Sequence, residues 1–537
     1  MIIAGFTGAN RALHPRQLPQ GFGVDSVNQH PGRGDLRPWN EPLAVATVPA
    51  SPQRKTILTN GRDSASDAIY WLSWTSVVHA IRSLDTNDST KRIFYSGDGA
   101  PKFTDNTALS GVLENPQNSR VLGVAAPISA MTVTINTAGA AVGVEETWYY
   151  VHTFVNDLGW ESAPSPPSAA VTGYAGTTVD LTSLEAPPGG TYNINRRRIY
   201  RTKTGTSGDT DYYFLRELVI GASITQPLDD SRALGELLQT QGIGSLGAWI
   251  EPPSGGKFLT HMWGGMAAMI DGKSVRICEP GALYAWPLRY GLSFTDTPVA
   301  LAVWQQNLLV LTTGRPYLVT GDTPENLSPQ PLDIDQSCVS AQSVVSFGSG
   351  VIWASPDGLV YFGDGGGRVI TQSVMTRDDW QAIAPSTIVA DRYEGVYFAS
   401  YNDGTLKGFM IDPQGGGIFW LSKGYNAMVR DTLSDALYVL DGAAIKKWDA
   451  GATKMTCRHK SGIVRDKRYM VYCQVTADAY PVTLKIWRDG SLILTRSVTD
   501  ADPFTIPDGW GEDWQVEVES QNPVQAVQLV NSVAELR

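Results

Sequence analysis

Apolar positions in this chain recur at strand spacing, and no long segment keeps an apolar stripe at the 3.6-residue period of a helix. The clearest unit is Val351 to Gly363. It reads as an apolar strand, a turn at Ser355-Pro356-Asp357-Gly358 and a second apolar strand. Pro and Asp favour the early turn positions and Gly supplies the positive φ that closes the turn, so the pattern predicts a hairpin. Related units open at Met266, Leu308, Val396 and Leu437, and the five openings follow one another after 42, 43, 45 and 41 residues. Each is an apolar strand, a Gly-containing turn and a return strand. That period and content predict four-stranded propeller blades, which must stack around an axis because a single blade cannot bury both its faces. Val351 to Gly363 is then expected as one blade's inner pair. A large open antiparallel assembly is the alternative.

The same reading divides the chain into five parts. Residues 246–455 hold the blades. Residues 51–130 are a first blade-like region, with about four strand-like runs near Ile57, Trp71, Val78 and Phe94. Residues 131–245 carry regularly spaced strands, among them Tyr149 to Phe154 and Ile199-Tyr200-Arg201, and fit a fibronectin type III-like sandwich. Residues 456–537 alternate cleanly, as strands with one wet face do, and predict a small C-terminal β-sandwich. Residues 1–50 are dense in Pro and Gly yet keep Leu13, Leu18, Phe22, Leu36 and Trp39. They are expected to form an extended docking arm, with a disordered terminus as the alternative. The fold class is therefore mainly β: a propeller-like core, an inserted fibronectin type III-like sandwich and a C-terminal sandwich.

Composition agrees with many short strands and turns. Of 537 residues, 54 are Gly and 32 are Pro, and 42% are hydrophobic against 18% charged. The formal net charge of −11 argues against tight, sequence-specific DNA binding, which needs a basic face. The four cysteines include no CxxC pair, so buried reduced thiols are expected. The start, Met1 to Phe6, lacks a basic leader, no run is apolar enough for a membrane-spanning segment, and synthesis in a cytoplasm is expected.

Little in the chain points to catalysis. The six histidines show no HxH or HxxxH spacing, and neither a GxSxG elbow nor a Walker loop occurs, so no metal, cofactor or catalytic residue is expected. Gly363 to Arg368 is Gly-rich but lacks the Lys-Ser/Thr ending of a phosphate loop and is expected as a loop connecting blades. Arg196-Arg197-Arg198 reads as a solvated strand edge. Propellers that cleave glycans use paired carboxylates, and Asp357, Asp364, Asp403 and Asp441 are candidates, but most lie in Asp-Gly turns that explain them. Ser355 to Leu359 also departs from the sialidase-type Asp box in its Gly spacing and lacks the following Trp.

An ordered set of motifs remains. It comprises Leu13-His14-Pro15-Arg16-Gln17-Leu18-Pro19, Gly34-Asp35-Leu36-Arg37-Pro38 and Arg198-Ile199-Tyr200-Arg201-Thr202. It continues through Glu279-Pro280, Tyr284-Ala285-Trp286-Pro287, Thr313 to Gly321, Cys338-Val339-Ser340 and Ala354 to Val360. Over nearly the whole chain this resembles the tail nozzle (tail tubular protein B-type) family of short-tailed bacteriophages. One departure is Arg276-Ile277-Cys278 ahead of Glu279, where the family often has a Ser or a Trp-Phe-Ser. The resemblance implies a structural virion protein of the phage tail. Six copies would form a ring below the portal and adaptor, continue the DNA-ejection channel and offer docking for tail fibres or spikes. Acidic walls suit DNA that slides through without sequence-specific binding. Leu13, His14, Pro15, Arg16, Arg37, Trp39 and Trp286 are the expected interface residues, with a core position as the alternative for Trp286. Removal of residues 1–40 is expected to block assembly and leave the blades folded. The competing reading is a receptor-binding or glycan-degrading phage tail protein.

Overall fold

Five-residue apolar runs bounded by Gly turns fold as the sequence pattern predicts. Gly350–Ala354 and Leu359–Gly363 pair antiparallel around the Ser355 turn, with Val351 opposite Phe362 and Trp353 opposite Val360. A Cβ at Gly358 would meet Thr371 Oγ1 at 2.3 Å, so the turn needs glycine. The computed structural model describes the whole chain except residues 33, 61–63, 65, 86, 106–111, 115–117, 203–211, 222–223, 228–248 and 537; the side chains of 60, 112–114 and 224–227 are also left aside. The protein is mainly β, built of many small antiparallel sheets.

Among the described residues, seven of these sheets follow one another in a closed ring. Sheet I holds Thr56–Asn60, Tyr70–Trp74 and Val112–Glu114. Sheet II holds His79–Arg82, Ile93–Ser96, Lys102–Thr104 and Arg120–Val121. Sheet III starts at Lys257–His261, IV at Pro298–Trp304, V at Val345–Phe347 and VI at Val389–Tyr393. Sheet VII starts at Ala427–Asp431. The first strand of each sheet from II to VII touches the first strand of the next, and that of VII touches Thr56–Asn60 of sheet I. Sheets I and II are joined by Thr56, whose hydroxyl accepts from Val78 N at 3.0 Å and donates to Ser76 O at 2.9 Å. First strands are thus innermost. The strands that open at Leu308, Val351, Val396 and Leu437 are the second in their sheets, and so is the one beginning just after Met266. Val351 to Gly363 supplies the middle pair of sheet V, and Val345–Phe347 lies inside it.

Residues 51–130 form two sheets where the sequence pattern suggested one. The runs at Ile57 and Trp71 pair with each other, and the runs at His79 and Phe94 pair separately. Sheet I is completed by Val112–Glu114, which lies parallel to Tyr70–Trp74. Between sheets II and III the chain inserts a separate β unit. Its core gathers Met131, Trp148, Tyr150, Val179, Leu181, Ile199 and Leu215. Ile194–Thr202 is the central strand of one of its sheets, flanked by Tyr150–Asn156 and Tyr212–Val219. Arg196-Arg197-Arg198 is therefore no strand edge: Arg197 is buried and donates to Glu185 O at 2.8 Å. Arg198 bonds Glu217 at 3.0 Å and the buried Glu161 at 2.5 Å.

The first 47 residues are woven into their own chain. Ile2–Ala4 pairs with Val524–Val530 at the C-terminus. Gly23–Val27 lies between Cys457–Ser461 and Ile418–Leu421, which makes sheet VI continuous with the C-terminal strands. Leu36 exchanges backbone hydrogen bonds with Val524 at 2.9 and 3.0 Å. Leu43–Thr47 is the outer strand of sheet VII, paired with Ala444–Lys447. Ile3, Phe6 and Leu36 join the C-terminal core around Met470, Val518 and Leu529, and Trp39 joins the core of sheets VI and VII beside Phe398 and Trp448. The arm expected to dock elsewhere docks here, because its scattered apolar side chains fill two cores of the same chain. This corrects the expectation that the blades stand without residues 1–40. Trp39→Ala removes a ring that is 1% exposed. It should lower the unfolding free energy by about 3–5 kcal/mol, read as a fall in the urea midpoint at unchanged slope.

Candidate functional site

The segment from Ala9 to Glu41 bridges the ring and the C-terminal strands, and it carries six of the seven expected interface residues. Its course is fixed by backbone pairing. Ala9 N donates to Ile418 O at 2.8 Å, Arg11 N to Val374 O at 2.7 Å and Met455 N to Trp39 O at 2.8 Å. Leu13 remains 41% exposed. His14 is exposed, and its Nδ1 accepts from Arg16 N at 3.2 Å. Pro15 O accepts from Ile463 N at 2.8 Å, and the Arg16 guanidinium meets the Asp513 carboxylate at 2.6 Å. Arg37 pairs with Asp35 at 2.9 Å.

The two tryptophans are not on the surface. Trp39 stacks on His30 with centroids 4.0 Å apart, and its ring edge meets Trp448 at 5.7 Å. Trp286 is fully buried with Phe94, Phe103, Leu122 and Met269, and its Nε1 donates to Leu283 O at 2.7 Å. Neither ring offers a face to another chain, which corrects their assignment as interface anchors. Both are apolar and large enough to repay core burial. Leu13 to Arg16 thus form one exposed stretch against the C-terminal strands, with Arg37 and Trp39 further along the bridge and Trp286 in the core shared by sheets II and III.

Beside the bridge lies a cleft of about 710 Å³ that the sequence did not signal. Its walls bring together Arg11, Asp25, Arg458, Lys407, Asp403 and Trp420. Asp25 holds both guanidinia, Arg11 at 3.3 Å and Arg458 at 2.6 Å, and Arg11 also lies 4.6 Å over the Trp420 ring. These charges sit 14 and 433 residues from Asp25, so no local spacing announces them.

The four turn carboxylates are held by their own neighbourhoods. Asp357 accepts from Arg377 at 2.7 Å and Gln336 at 3.0 Å, and these bonds lower its pKa. Asp364 accepts from Gln305 at 3.0 Å. The Lys407 ammonium, 3.0 Å away, does most to lower Asp403. Burial raises Asp441, but Lys423 and Lys446, each at 2.7 Å, outweigh it and the pKa falls. A general acid needs the opposite shift. The four cysteines are free and buried, and burial pushes each thiol to about 12.

No protein-family model and no curated protein matches the chain. Among solved structures it is similar to BamB from Moraxella catarrhalis, at 11% identity over 79% of this chain and 96% of that one, with a TM-score of 0.33. It is similar to AztD from Citrobacter koseri at 10% identity over 70% and 99%, with a TM-score of 0.27. An exo-β-1,3-galactanase from Phanerochaete chrysosporium gives 8% identity over 88% and 100%, with a TM-score of 0.19. No family follows from these likenesses.

Buried histidines set how the fold answers to acid. His459 pairs with Ser26 across the strands, packs edge-on to Phe6 at 4.9 Å, and neither ring nitrogen has a hydrogen-bond partner. Burial lowers its pKa to about 4. His152, in the inserted unit, is likewise lowered to about 4 by burial and then by Arg197. Above the ordinary histidine value of 6.5 both residues are neutral in folded and unfolded chains. As pH falls from 6.5 to 4 the unfolded chain binds protons that the folded one refuses, so stability falls, by roughly 3 kcal/mol per residue. His79 is lowered to about 4 as well, so His459→Phe should remove about a third of the histidine part of that dependence when urea midpoints are compared between pH 7 and pH 4.

Proposed function

We propose that this chain is the wall-forming subunit of a short-tailed phage's tail nozzle. The seven ring sheets are read as propeller blades, the inserted unit as a fibronectin type III-like sandwich and the C-terminal strands as a second sandwich. Six copies would surround the channel that continues below portal and adaptor, with tail fibres or spikes on the outside and DNA passing without sequence-specific contact.

The observation that supports this most is where the ordered motifs fall. Leu13 to Pro19 and Gly34 to Pro38 lie on the bridge between ring and C-terminal strands. Arg198 and Tyr200 converge on Glu161, with Tyr200 donating its hydroxyl proton to Glu161 Oε1 at 2.5 Å, at the centre of the inserted unit. Tyr284 stacks on Trp160 at 5.1 Å and 10°, and with Trp286 it ties sheet III to the base of that unit. Ser355 anchors helix Arg377–Ala382 through Trp380 Nε1, which donates to Ser355 O at 2.8 Å. Motifs whose side chains hold elements of the fold together suit a passive, rigid conduit better than a reaction centre.

Purified protein imaged in negative stain should form sixfold rings with an open lumen, and a strictly monomeric population at micromolar concentration would contradict the reading. With both tryptophans inside, Leu13 is the apolar member of the exposed stretch. Leu13→Asp should abolish rings while leaving the melting temperature within about 2 °C of the unsubstituted protein, as surface changes do.

A further inference from the structure

The innermost strands of the ring leave a cavity of about 460 Å³ at one end. Its lining is contributed by corresponding positions of successive sheets. Val77 leads into and His79 begins the first strand of sheet II, Lys257 and Phe258 begin that of sheet III, and Val299 lies at the start of that of sheet IV. Gln342 and Ser386 come from the segments that lead into the first strands of sheets V and VI. Gln342 Nε2 also reaches Lys55 O, just ahead of the first strand of sheet I, at 3.3 Å. The cavity is therefore the mouth of the ring's central passage.

The chemistry of this mouth departs from that of the chain. The protein carries a net −11, yet no Asp or Glu lines the cavity among the described residues. Lys257 lines it, is exposed and makes no ion pair with a described residue, so it is the cationic residue of a lining without carboxylates. The floor is apolar, from Val77, Phe258, Val299 and Val339. The His79 ring lies stacked on Phe258 at 3.7 Å, and burial lowers its pKa to about 4, so near neutral pH it is an uncharged donor and acceptor. Gly97 closes the wall: its φ is +103°, and a Cβ there would meet Val77 O at 2.2 Å. A pocket of this size, mostly apolar with a few convergent polar groups, is the usual form of a small-molecule site.

We propose that this mouth binds a ring-shaped monoanion, an acidic sugar residue, with its carboxylate on Lys257, its C–H face on the Val77, Phe258 and Val299 floor, and its hydroxyls on His79, Gln342 and Ser386. The inference does not rest on the nozzle reading, and it gives the protein a second task, recognition of carboxylate-bearing surface glycans. D-Galacturonate and D-galactose differ at one position, CO₂⁻ against CH₂OH, and isolate the charge. Titration of the full chain by calorimetry should show galacturonate binding about fivefold more tightly than galactose, the scale of one exposed ion pair. Lys257→Gln should reduce galacturonate to the galactose level and Lys257→Arg should retain the preference, with unchanged melting temperatures showing that both variants fold. Equal affinity for the two sugars, binding of neither, or a Lys257→Gln variant that keeps the preference would overturn the proposal.

Discussion

The last sheet of the ring is completed by a strand from the beginning of the chain. Sheet VII has three strands of its own, Ala427–Asp431, Ala436–Asp441 and Ala444–Lys447, and takes its fourth from Leu43–Thr47. That pairing joins residues about 400 positions apart in sequence. The entropy of closing so long a loop grows only slowly with length, so the cost is bearable once the intervening sheets have stacked. Formation is another matter, because contacts of this separation come late in folding. The closing strand shares this long reach with its neighbours, since Ile2–Ala4 and Gly23–Val27 also pair with strands more than 400 residues away, and it is held from the segments beside it.

Those segments are held strongly. Upstream, Trp39 fills a core with Phe398 and Trp448, and Leu36 fills another with Val524. Gly23–Val27 is bonded on both edges, to sheet VI and to the C-terminal strands. The bridge therefore does two things at once. It positions the strand that completes sheet VII, and it fuses the ring to the C-terminal unit through one hydrogen-bonded sheet. The buried, unpaired His459 sits in that seam, so the seam that makes the chain one body is also where acid acts on it.

The hairpins of sheets III to VII were legible because each carries its own local signal: an apolar run, a Gly or Asp-Gly turn and an apolar return. Sheets I and II were not, since their runs are equally apolar and nothing local says which run pairs with which. Val112–Glu114, which separates them by completing sheet I, pairs in parallel across some 40 residues. The bridge was misread for the same reason. A Pro-rich stretch with scattered apolar residues looks alike whether it docks on a partner or on its own chain, and Trp39 has the same composition-level signature in either case. Arg196-Arg197-Arg198 looked like an edge because charge usually means solvent, but in a central strand Glu161 and Glu217 pair with Arg196 and Arg198, and Arg197 is buried with one bond to a backbone carbonyl. The cleft and the axial mouth draw on residues from Arg11 to Glu519 and from Val77 to Ser386, so only the folded ring assembles them.

Residues 1–47 supply integral strands to the ring and the C-terminal sheet and are not an appended arm. Hydrogen exchange resolved to individual amides tests this most directly. The bonded amides of Gly23–Val27 and Leu43–Thr47 should exchange as slowly as those of Ala444–Lys447, through the same global opening. Rapid exchange of residues 1–47 beside a protected sheet VII would contradict it.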